Sequence, residues 1–173
     1  MQSHLFYMFK RFNPGPATWE DIVVGYDFSF LEPPEIQAWV LEMGYQGEAV
    51  TELLALEGPR LLDFEAHLWR ACAEQRGKTP RPGNLRWIAA QDRWRMALLK
   101  DALAMDLTPA ALAKSIEVIY ERVGCPEDML ALFSPAAAWT GKAPTVDLPA
   151  VGAFLSRLDA ERSALSGQLS AIS

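Results

Sequence analysis

The stretch Leu85-Arg86-Trp87-Ile88-Ala89-Ala90-Gln91-Asp92-Arg93-Trp94-Arg95-Met96-Ala97-Leu98-Leu99-Lys100-Asp101-Ala102-Leu103-Ala104-Met105 decides the fold class. It holds no proline and no glycine. Its apolar residues Trp87, Ala90, Trp94, Leu98, Ala102 and Met105 recur every three or four positions, the period of a helix with one buried face. A strand would alternate every two.

The same period continues on both sides. Downstream, Thr108-Pro109 is a helix start, an N-cap followed by proline at the first helical position. Leu112, Ile116, Ile119 and Val123 then form a stripe that Gly124 stops. Pro126-Glu127-Asp128 opens a short helix ending near Phe133. Asp147, with Pro149 in the first turn, caps a final helix carrying Leu148, Val151, Leu155, Leu158, Leu165 and Leu169, with Arg162 in the one missing place. Upstream, Leu61, Phe64, Leu68 and Cys72 share one face, and Glu48 to Glu57 is a helix with Val50, Leu53 and Leu54 inward. Pro33-Pro34 begins a helix with Ile36, Trp39, Val40 and Met43 on one stripe. Thr18 caps a brief helix with Asp21 three residues later, a short capping box. Only Leu5 to Phe9 alternates enough to suggest a strand.

The expected architecture is therefore all-α, a single-domain bundle of about seven helices with short loops. Residues 1–17 form an aromatic N-terminal arm and 18–173 the helical domain, with loops near 75–84 and 134–146. At 173 residues, half of them hydrophobic, the chain can bury a core without disulfides or metal. No run approaches the ~18 apolar residues of a membrane helix.

Sixteen basic residues against twenty-two acidic ones give a net charge of −6. That argues against nucleic acid as the main partner, because phosphate binding needs clustered Lys and Arg. Two cysteines, Cys72 and Cys125, are too few for a disulfide framework and suit a reducing compartment. The N-terminus lacks the order of a secretory signal, so a cytoplasmic location is expected.

Catalytic signatures are absent. His4, His67, Cys72 and Cys125 lack metal-ligand spacing, and no metal or cofactor is expected. Cys125 precedes a helix start, where a thiol can be activated, but no imidazole in a recognisable context accompanies it. A packed turn residue is the simpler role. Glu20 with Asp21, and Glu127 with Asp128, are adjacent acids that a helix points in different directions, and helix dipoles explain both pairs. Of the six tryptophans, Trp139, in a loop beside Ala136-Ala137-Ala138, is the candidate for partner contact.

Charge is distributed unevenly. From Thr18 to Glu57 there are nine acids (Glu20, Asp21, Asp27, Glu32, Glu35, Glu42, Glu48, Glu52 and Glu57) and no Lys or Arg, whereas Gly58 to Lys100 holds nine basic residues and four acids. Either the basic helices pair with the acidic segment internally, or the acids form an electronegative surface that steers a basic protein partner. Glu35 and Glu42 fall opposite the Ile36/Trp39/Val40 stripe, and Glu48 and Glu52 lie one turn apart, so these four are expected to be exposed. The partner-binding set is then Asp27, Glu32, Glu35, Glu42, Glu48, Glu52 and Trp139.

Three segments in order, Thr18-Trp19-Glu20-Asp21-Ile22 with Gly25 and Leu31, Trp87 in the long helix, and Ile119-Tyr120 before Cys125-Pro126-Glu127-Asp128-Met129, resemble the bacterial domain-of-unknown-function family 2247. The resemblance covers roughly Thr18 to Phe133 and is expected to take in the last helix. Cys125 stands where the family pattern has a larger apolar or aromatic residue. The resemblance carries over no catalytic residue. It implies a small acidic binding protein similar to the immunity proteins of bacterial toxin systems. The expected function is to neutralise a cognate toxin by occluding its basic active or binding surface. An enzyme with a cleft between helical halves, or a helical scaffold using the last helix, are the rivals.

Overall fold

The computed structural model describes residues 4–13, 16–78, 81–133 and 145–170. Among them the regular structure is helical: α1 (His4–Phe12), α2 (Trp19–Asp27), α3 (Pro33–Glu42), α4 (Glu48–Leu54), α5 (Phe64–Arg76), α6 (Leu85–Ala104), α7 (Pro109–Arg122) and α8 (Leu148–Ser170), with 3-10 helices at Gly58–Asp63 and Glu127–Leu132. The fold is all-α. No described helix is long and apolar enough to cross a membrane. The chain forms two compact units, Met1–Gln91 and Asp92–Ser173, and α6 runs through the boundary.

In the first unit the segment Leu5 to Phe9 is helical, not extended. Phe6 and Phe9, three residues apart, both set their rings edge-on to Trp39, at 5.1 and 5.5 Å between centroids. A strand would point them to opposite faces. The arm is thus a helix packed on α3. Thr18 caps α2 in a full capping box: its hydroxyl accepts from the Asp21 N–H at 3.2 Å, and Asp21 Oδ2 accepts from the Thr18 N–H at 2.7 Å. Both helices around the loop near 75–84 lean on Trp69 and Trp87, whose rings stack at 5.8 Å and 13°. Asn84 then caps α6, its Oδ1 accepting from the Trp87 N–H at 2.9 Å. Ile22, Ile36, Trp39, Leu53, Leu56, Phe64 and Leu68 are buried, each contributing about 1.5–3 kcal/mol of hydrophobic transfer free energy.

In the second unit Thr108 caps α7, accepting from the Ala111 N–H at 3.3 Å. The buried residues include Trp94, Met96 and Leu99 of α6, Ile116 and Ile119 of α7, Met129 and Leu132, and Val151, Phe154 and Leu158 of α8. Met105, expected inward, is exposed because α6 ends one residue before it. Arg95, on α6, bonds Asp92 and reaches Asp128 at 2.8 Å; Arg157, on α8, reaches the other Asp128 oxygen at 2.9 Å. Both guanidiniums lie over the Phe154 ring. Asp128 therefore serves an ion-pair network as well as the start of its 3-10 helix.

Cys125 is exposed, not packed. The C-terminus of α7 explains it. Gly124 is left-handed, the Cys125 N–H bonds the Tyr120 carbonyl at 2.9 Å, and the Gly124 N–H bonds that of Glu121 at 3.2 Å. This is a Schellman turn, and it carries the thiol outward at φ +54°.

Candidate acidic docking cleft

The nine acids of Thr18 to Glu57 divide into three groups. Asp21 and Glu35 are buried and serve helix starts. Glu20, Glu42 and Glu52 are ion-paired: Glu20 with Arg76 at 3.1 Å, Glu42 with Lys10, and Glu52 with Arg70, with His67 Nδ1 3.5 Å from the same oxygen. Asp27, Glu32, Glu48 and Glu57 are exposed and make no ion pair among the described residues. Internal pairing and an open acidic surface thus coexist, on different residues.

Glu35 corrects the sequence expectation. Pro33-Pro34 begins the helix and places Glu35 in its first turn. There the carboxylate folds back onto the Glu32 N–H, and the residue is 7% exposed. Glu42 is exposed as expected, yet Lys10 occupies it. Glu52 is only about one-third exposed, because α5 brings Arg70 and His67 against it. Glu48 is exposed as expected. Trp139 lies outside the described residues.

Two of the expected residues, Asp27 and Glu32, come together. They line a cleft of about 400 Å³ with Tyr26, Ser29, Leu31, Pro33 and Glu65. The end of α2 builds it. The Phe30 N–H bonds the Gly25 carbonyl at 2.7 Å and the Ser29 N–H bonds that of Tyr26 at 2.9 Å. This is a second Schellman turn, with Ser29 rather than glycine at the left-handed position, φ +56°. It reverses the chain so that Asp27 and Glu32, five residues apart, border one space. The first turn of α5 supplies Glu65.

Electrostatics in the cleft are those of like charges. Asp27 is held above the ordinary aspartate range by partial burial first and by Glu65 second. The Tyr26 phenol is pushed up by burial, then Glu65, then Glu32. A cation entering the cleft would relieve this repulsion, so the arrangement suits a guanidinium or ammonium group. Glu65 was missed because the segment after Gly58 reads as basic, and Tyr26 because it carries no charge. The only sequence signal for Glu65 is an acid in a helix's first turn, which the helix dipole explains equally well.

Elsewhere in this unit, burial raises the Cys72 thiol to about 12, with Glu20 adding and Arg76 opposing. Such a thiol is inert as a nucleophile. Among the described residues no three His, Cys, Asp or Glu side chains are placed to hold a metal ion.

No curated protein and no solved structure matches the chain. The family model described as "Uncharacterized protein conserved in bacteria (DUF2247)" matches residues 9–138. That span runs from within α1 past the second 3-10 helix and includes the whole acidic cleft. With three-quarters of its length matched, the chain belongs to the bacterial DUF2247 family.

Proposed function

We propose that this protein is an immunity protein, which binds a cognate bacterial toxin in the cytoplasm and neutralises it by covering the toxin's basic active or binding surface. The observation that carries the reading is the cleft of Asp27, Glu32 and Glu65, three exposed carboxylates without an ion pair among the described residues, bordering one space. A basic side chain of the toxin seats there. The net charge of −6 supports fast encounter with such a partner. Each exposed pair adds only about 0.2–1 kcal/mol of affinity, so the acids act mainly on association rate and specificity. The two free thiols, Cys72 and Cys125, suit the reducing cytoplasm.

The reading requires a toxin gene beside this one, and the test is growth of cells expressing that toxin, with and without the protein. Co-expression is expected to restore growth. Failure of the wild-type protein to do so would overturn the immunity reading. The triple variant Asp27→Lys, Glu32→Lys, Glu65→Lys should slow association about tenfold or more at low salt, within the range that electrostatic steering supplies, while its melting temperature stays close to wild type. Unchanged association in that variant would remove the cleft from the interface without touching the immunity role.

A further inference from the structure

We draw no further inference here: the strongest candidate, the apolar groove between the first turns of α7 (Pro109, Ala110, Ala113) and Thr145–Val146, carries nothing because nothing in the structure shows what covers it.

Discussion

The backbone N–H of Glu32 donates a 2.8 Å hydrogen bond to Oε2 of Glu35, and the Glu35 N–H returns one of 3.0 Å to the Glu32 carbonyl. Two acids that look alike in the sequence therefore differ in burial within one capping box. Glu35, buried, holds the start of α3, whereas Glu32, its exposed partner at the N-cap, keeps its charge at the cleft.

Replacing them one at a time should separate these roles. Glu35→Ala should cost about 1 kcal/mol, the usual worth of an N-terminal cap. Glu35→Lys should cost more, since it buries an unpaired charge. Glu32→Ala should stay within about 0.5 kcal/mol, as exposed substitutions do. Urea denaturation at neutral pH measures all three. Equal losses at the two positions would contradict the assignment.

Asp27 makes stability depend on pH in a defined direction. Its folded pKa is raised, so the folded state binds the proton more tightly than the unfolded one. The carboxylate then favours the fold while protonated, and that contribution is lost as pH rises through the raised pKa. Asp27→Asn should increase stability at neutral pH, by about 0.5 kcal/mol or less for so exposed a group. The gain should fade as pH falls below the ordinary aspartate value of about 4. A gain that persists well below that pH has a cause other than charge.

Ser29 adopts a conformation that side chains other than glycine rarely take. The left-handed region costs an L-residue about 1 kcal/mol relative to glycine. Ser29→Gly should therefore stabilise the first unit by up to that amount and leave the cleft's carboxylates in place. Thermal melting with intact partner association would show both. A destabilised variant would mean that contacts of the Ser29 side chain outweigh its backbone strain.

The two thiols should differ in reactivity. Cys125 is exposed, whereas Cys72 is fully buried with its pKa pushed up to about 12. A thiol reagent at mildly alkaline pH should label one cysteine per native chain, and both after denaturation. Cys125→Ser should abolish native labelling and leave the proposed toxin neutralisation intact. Loss of neutralisation with the fold preserved would give Cys125 a part in function.

Helical period and end signals were legible along most of the chain. Thr18, Thr108, Pro33 and Gly124 mark real helix ends because capping is a local matter of one side chain and the backbone groups beside it. The aromatic segment before Asn13 was misread because Phe6, Met8 and Phe9 are all buried, which blurs a three-residue period into alternation. The 3-10 geometry of Gly58–Asp63 and Glu127–Leu132 has no distinct signature in residue type. The site was half legible. Asp27 and Glu32 could be named from the run of unpaired acids. Glu65 could not, since its place beside them depends on where α5 packs, and Glu35 and Glu52 were misjudged because caps and ion pairs draw charged side chains inward.

Family kinship and structural integrity have different boundaries in this chain. The shared segment ends at residue 138, yet Val151, Phe154 and Leu158 fill the second unit's interior from beyond it. Arg157 completes the coordination of Asp128, and Lys100 approaches Asp159 at 3.8 Å. A chain cut at residue 138 would keep every recognisable motif and still expose the faces of Met129 and Leu132 that α8 helps to shield. Such a truncation would leave the matched span with an uncovered apolar face. The helix outside the matched span is thus part of what closes the second unit's core.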